Sequence, residues 1–210
     1  MNSYSNEYSS TQTTSRLDAK EEEQDSAGKL PNVMEKHYVD ARVIMVTGEI
    51  NHDLARRACK ELLALAQISD DPITVFVSSP GGHVESGDMV HDMIKFIKPR
   101  VRVLGSGWVA SAGALIYVGA EKDDRYVLPN TRFLLHAPSG GIGGQASDIA
   151  IQAKEIKLMR HRLNKIFADG TGQPFEKVEA DTDRDFWMSA EEAVEYGLAT
   201  HIISNSAELK

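Results

Sequence analysis

A single cysteine, Cys59, occurs in the 210 residues of the chain. An internal disulfide is thereby excluded, as is any zinc site built on several thiolates, and one thiol suits a reducing compartment. Cys59 falls in a helix-patterned stretch and reads as an inert helix-face residue. Cationic side chains are also in deficit: 23 Lys and Arg stand against 31 Asp and Glu, for a formal net charge of -8. Capture of nucleic acid or of an anionic lipid surface needs clustered cations, so this composition argues against both as partners. No run approaches the ~18 apolar residues of a membrane span, and no secretory h-region is present. The cytoplasm is the expected location. There is no GxxxxGK[ST] phosphate loop, so the chain should not hydrolyse ATP itself. His83 and His91 share a segment but lack the HExxH spacing, and no metal site is expected. The lipase-type GxSxG elbow fails because Val109 takes its first glycine position.

A hydrophobic content of 41% is enough for one ordinary core. Residues 1–32 are rich in Ser, Thr, Asn, Gln and charge, and read as a flexible polar tail that cannot offset its ordering entropy. Residues 33–210 read as a single α/β domain. From residue 41, β-type runs alternate with helical ones, the pattern of a largely parallel sheet. ARVIMVTGEI (41–50), ITVFVSS and VRVLGSG read as strands, followed by RYVLP, TRFLLH and a final LATHIIS (198–204). Asn51 is placed to cap a helix whose Leu54, Ala58, Leu62 and Leu65 share one face. A second helix carries Val90, Met93, Ile94 and Ile97 and stops before Pro99. The longest, roughly 147–168, carries a stripe from Ile149 to Ile166 that must bury against something, and Gly170, Gly172 and Pro174 end it. SAEEAVEYG opens with a capping box, Ser189 to Glu192. Trp108, Phe133 and Trp187 read as core residues.

GWVASAGAL (107–115) sets one hydroxyl, Ser111, among small residues at a strand-to-helix junction. A serine is a poor nucleophile at neutral pH. A hydrolase therefore needs a histidine to take its proton, an acid to orient that histidine, and N–H donors for the oxyanion. His136 ends the apolar run FLL just before a glycine-rich tract, where a strand-end side chain reaches a cleft. His37, His52, His83, His91, His161 and His201 have no such setting. Asp185 lies between a charged cluster and Phe186-Trp187-Met188, a position that predicts a partly buried carboxylate; Asp181 and Asp183 compete with it. Ala112 would offer a free N–H at the helix start, and Gly82 of SPGG a second.

Four segments occur in order: SSPGGHVESG, GWVASAGAL, LLHAPSGGIGGQASDIAIQAKEI and TGQPFEKVEADTDRDFWMSAEEAVEYGL. Together they resemble the proteolytic subunits of the Clp protease, ClpP, peptidase family S14, over roughly residues 35–203. The resemblance implies a ClpP/crotonase-like α/β fold of repeated β-α-β units with a protruding handle helix. It assigns Ser111 as nucleophile, His136 as base, Asp185 as acid, and the backbone N–H groups of Gly82 and Ala112 as the oxyanion hole. Gly82, His83, Val84, Ser139, Gly140 and Gly141 would line an extended peptide, adding a strand. Arg184 matches a residue of ring–ring contact. Two stacked heptameric rings are implied, homomeric or mixed with a paralogous subunit, fed unfolded protein by an AAA+ Clp unfoldase that hydrolyses the ATP; no cofactor belongs to this chain. Departures from the family pattern are Ala112 in place of the usual Met, His83 in place of Ser, and Ala137 and Ser139 in place of Gln and Leu. The other readings are a crotonase-like acyl-CoA enzyme and a divergent or idle subunit of a mixed barrel. The intact Ser, His and Asp set counts against both.

Overall fold

A computed structural model describes residues 33–138 and 143–210. Residues 33–40 are helical and belong to a unit that ends at Ala41; residues 42–210 form a second, compact unit. The tail expected over residues 1–32 lies outside the described residues.

The compact unit runs β1 (Val43–Thr47), α1 (His52–Ile68), β2 (Ile73–Ser79), α2 (Val84–Phe96), β3 (Val101–Ala110) and α3 (Ala112–Tyr117). It continues with β4 (Arg125–Val127), β5 (Arg132–Leu135), α4 (Ala146–Thr171), α5 (Phe175–Asp181), β6 (Phe186–Met188), α6 (Ala190–Tyr196) and β7 (His201–Ile202). Strands β1, β2, β3, β4 and β7 are neighbours in that order and all parallel. Strand β3 is long enough to serve two partners. Its first half pairs β4 through Val103–Gly105, and its second half pairs β5 through Trp108–Ala110. Strand β6 adds antiparallel to β5.

The fully buried stretches of β2, with Ile73, Val75 and Val77 at zero exposure, fit a sheet covered by helices. Helix α1 is capped as its sequence predicts, the Asn51 side chain accepting from Leu54 N at 2.9 Å. Its Leu54, Ala58, Leu62 and Leu65 are buried. Cys59 is buried on the same helix, and burial pushes its thiol up to about 11. The Ser189–Glu192 capping box forms, and Gly197 ends α6 at φ 86.

Several boundaries differ from the sequence pattern. Strand β1 spans Val43–Thr47 rather than 41–50, because the chain turns at Gly48 (φ 83) before Ile50 bridges Gly82. Strand β7 keeps only two residues of 198–204. Gly170 lies inside α4, which ends at Gly172 in the left-handed region. Of the apolar stripe of α4, Leu163 is buried and Met159 and Ile166 pack partly against the core, whereas Ile149 is exposed, as are Ile151 and Leu158 off the stripe. Trp108 and Trp187 are not core residues but exposed ones, the latter beneath the Arg132 guanidinium at 4.3 Å, whereas Phe133 is fully buried.

Candidate active site

Parallel strands deliver their carboxyl ends to one edge of a sheet, where an α/β fold leaves a crevice. Here β2 ends at Ser79, the first residue of the SPGG turn; β3 ends at Ala110, before Ser111; β5 ends at Leu135, before His136. Ala110 pairs with Leu134, and the Ser111 N–H donates to Leu134 O at 2.9 Å. The antiparallel β6 starts at the same edge, with Leu135 opposite Phe186. The sheet order β2-β3-β5-β6 therefore sets Gly82, Ser111, His136 and Asp185 side by side, at steps of about 4.8 Å per strand.

Ser111 is the N-cap of α3 and has φ 54 and ψ -119. Only one other non-glycine among the described residues, Arg42, has positive φ. Such a conformation is costly for an L-residue and persists where its surroundings fix it. Small neighbours make room for it. A Cβ on Gly87 would meet the Ala112 side chain at 3.2 Å, and one on Gly113 would meet Ser79 Cβ at 3.1 Å. The turn drives the Ser111 side chain into a cavity that His136 also lines, with apolar walls from Val84, Leu115, Leu163 and Phe167.

Gly82 has φ 144, and a Cβ there would stand 2.2 Å from Ile50 O. Its neighbours are held by Ile50 N donating to Gly81 O and His83 N donating to Ile50 O, both at 2.8 Å. Neither the Gly82 N–H nor the Ala112 N–H donates to a backbone acceptor among the described residues. Two main-chain donors thus stand uncommitted on either side of Ser111.

His136 Nδ1 lies 3.7 Å from Asp185 Oδ1, inside ion-pair range but longer than a hydrogen bond. No hydrogen bond joins Ser111 to His136 among the described residues. The expected partial burial of Asp185 is not found: its side chain is 66% exposed. The cause is its place at the start of an edge strand in which Met188 alone is buried, so the apolar run that follows shields only one side.

Of the expected peptide-lining residues, Val84 lines the cavity. The His83 side chain turns to its own helix, with Nδ1 2.9 Å from Ser86 Oγ and Nε2 3.3 Å from Glu85. Ser139, Gly140 and Gly141 lie outside the described residues. Arg184 is exposed. Among the described residues no group of His, Cys, Asp or Glu is arranged to hold a metal ion, and no helix is long and apolar enough to cross a membrane. Sequence reasoning missed Gly81 and Thr182. Gly81 packs directly on Ser111, and Thr182 O accepts the N–H of Ala137, next to His136, at 2.7 Å. Gly81 carries a signal in the doubled glycine of SPGG; Thr182 carries none, since only the fold brings it to residue 137.

The Clp protease family matches residues 26–206. The chain is 56% identical over 191 residues to "ATP-dependent Clp protease proteolytic subunit 3" of Rhizobium etli, covering 90% of this chain and 98% of that one. It is 55% identical over 185 residues to subunit 2 of Pseudomonas aeruginosa, covering 88% and 92%. Among solved structures, ClpP1 from Listeria monocytogenes superposes with a TM-score of 0.77 at 51% identity, covering 84% of this chain and 99% of that one. With the α/β sheet and its long helix α4, these matches establish that the chain belongs to the Clp protease family of proteolytic subunits, peptidase family S14.

Proposed function

We propose that the chain is a serine endopeptidase subunit of an ATP-dependent Clp protease, in which Ser111, His136 and Asp185 act as a triad. Support comes above all from one relationship: Ser111, held at φ 54, faces the same cavity as His136, whose Nδ1 is directed at Asp185. His136 Nε2 takes the proton of Ser111 Oγ as the oxygen adds to the scissile carbonyl carbon. The oxyanion so formed accepts from the Gly82 and Ala112 N–H groups, an arrangement aided by the start of α3. The imidazolium, steadied by Asp185, then gives its proton to the leaving amine. Water hydrolyses the acyl group on Ser111 by the same route in reverse. The chemistry requires no cofactor in this chain.

Unfolded protein is the proposed substrate, cut to short peptides lying extended along Gly82, His83 and Val84 on one side and Ser139, Gly140 and Gly141 on the other. The exposed apolar residues in the first half of α4 fit an element that is covered by another subunit. Two stacked heptameric rings, homomeric or mixed with a paralogue, supply that cover, and Arg184 is free to reach across. The numbered names of the relatives fit organisms with more than one such subunit. An AAA+ unfoldase in the cytoplasm would feed the chamber and hydrolyse the ATP.

Labelling with a fluorophosphonate tests the chemistry. Modification is expected on Ser111 and lost in Ser111→Ala, and an assembled complex that takes no label would overturn it. Native mass spectrometry tests the assembly, where a stable monomer is the contrary result.

A further inference from the structure

Asn164 and Thr182 are 2% and 1% exposed and belong to different elements, α4 and the turn that ends α5. The Thr182 hydroxyl lies 2.8 Å from Val178 O and 3.0 Å from the Asn164 amide. A hydroxyl has one proton, and the Val178 carbonyl takes it at the shorter distance. With its oxygen toward Thr182, the amide would leave Nδ2 buried and without a partner. The two ends of an amide have nearly the same shape, and the turned orientation lets Nδ2 donate to the Thr182 oxygen. Only a carbonyl oxygen is then left over, the less costly group to leave unpaired. The chain of donors runs from Asn164 to Thr182 to Val178.

Residue 182 is also where the two halves of the candidate site meet. Its carbonyl takes the Ala137 N–H at 2.7 Å, one residue past His136. Three residues later stands Asp185, followed by the Phe186–Leu135 pair. One turn earlier on α4, Arg160 holds Asp183 at 3.0 Å. That second anchor is exposed, so it is worth little. The Asn164–Thr182 contact is the buried one. From the same stretch of helix, Leu163 and Phe167 line the cavity.

We infer that Asn164 and Thr182 are positioning residues for the proposed triad: α4 holds residue 182, residue 182 holds Ala137, and His136 and Asp185 are thereby held side by side, 3.7 Å apart. This rests on the serine peptidase function proposed above. A displacement of about 1 Å at a reacting group costs about 100-fold in rate.

Kinetics of the full-length assembled protein on a fluorogenic short peptide test it, with Asn164→Leu, Thr182→Val, Thr182→Ser and, as a remote control, Tyr126→Phe on β4, which removes a hydroxyl bonded to Lys210 O. Expected is a fall in kcat of about 100-fold in Asn164→Leu and Thr182→Val with KM changed less than about twofold. Thr182→Ser, which keeps the hydroxyl, should stay within about threefold of the parent. Native mass and thermal unfolding are followed in parallel; if Asn164→Leu does not assemble, the Thr182→Val and Thr182→Ser pair decides. Parental kcat in assembled Thr182→Val, or an equal loss in Tyr126→Phe, overturns the positioning role. Undiminished turnover in Ser111→Ala would instead overturn the triad itself.

Discussion

A Cβ built on Gly81 would stand 2.6 Å from Ser111 Cβ and 2.9 Å from Ala110 O. Gly81, the residue before the proposed oxyanion donor, thus leaves no room for a side chain beside the proposed nucleophile. Neither obstacle is the free end of a flexible chain, and Gly81 has φ +96 besides. Gly81→Ala must therefore displace Ser111 from its turn. Peptidase activity in that variant is expected to fall at least about 100-fold, and fluorophosphonate labelling should slow in step.

Replacing Asp185 by Asn keeps the shape but lets the imidazole adopt the wrong tautomer. The loss expected from a fully formed triad is about 10,000-fold in kcat. Because the Asp185 carboxylate is two-thirds exposed and 3.7 Å from Nδ1, a smaller loss, about 100-fold or more, is the outcome to look for. Steady-state kinetics on a short peptide with little change in KM would check it; an Asp185→Asn protein with parental kcat would remove Asp185 from the proposed triad.

Cys59 should be silent to iodoacetamide near pH 8 in the folded protein. Its thiol is buried, lies 3.5 Å from Met89 O and titrates near 11, so little thiolate forms. The folded state holds this proton more tightly than the unfolded one, whose thiol ionises near its ordinary value of 9. The sign follows: stability attributable to Cys59 declines as pH rises from 9 toward 11. Alkylation followed by mass measurement, with and without denaturant, provides the check, and Cys59→Ala should flatten that part of the pH dependence.

Arg125 is 4% exposed and donates to Ala120 O, Val118 O and Gly170 O. Two of these carbonyls lie at the C-terminal ends of α3 and α4, where helix dipoles favour a cation. Burial lowers its pKa from the ordinary arginine value. Arg125→Met would leave three inward carbonyls without donors, at a cost of about 3 kcal/mol or more. Urea unfolding should show the midpoint shift; an unchanged midpoint would mean that water replaces the guanidinium.

The alternation of strands and helices is readable from the sequence because each element carries its own period. The 4, 4, 3 spacing in α1 and the largely β-branched run ITVFV of β2 both fold as their pattern dictates. Ends are harder to read where a partner sets them: β3 extends to Ala110 because β5 pairs with its second half, something no local pattern encodes. Ser111 and His136 are legible for a different reason. Each follows a strand directly, so a parallel sheet brings them to the same edge. Burial at Asp185 depends on what covers β6, which is remote in sequence, and there the local apolar run misleads. The same limit hides Asn164 and Thr182, joined across 18 residues by a contact that neither side chain's neighbours foretell.

The forked pairing of β3 has a bearing on how such a chain matures. Its second half needs β5, and β5 in turn docks β6, so Ser111, His136 and Asp185, the proposed triad, come together only after the last of three separate segments has joined the sheet. On the proposed mechanism, a half-finished molecule without β6 would lack its acid and have no cutting edge to turn on itself or its neighbours.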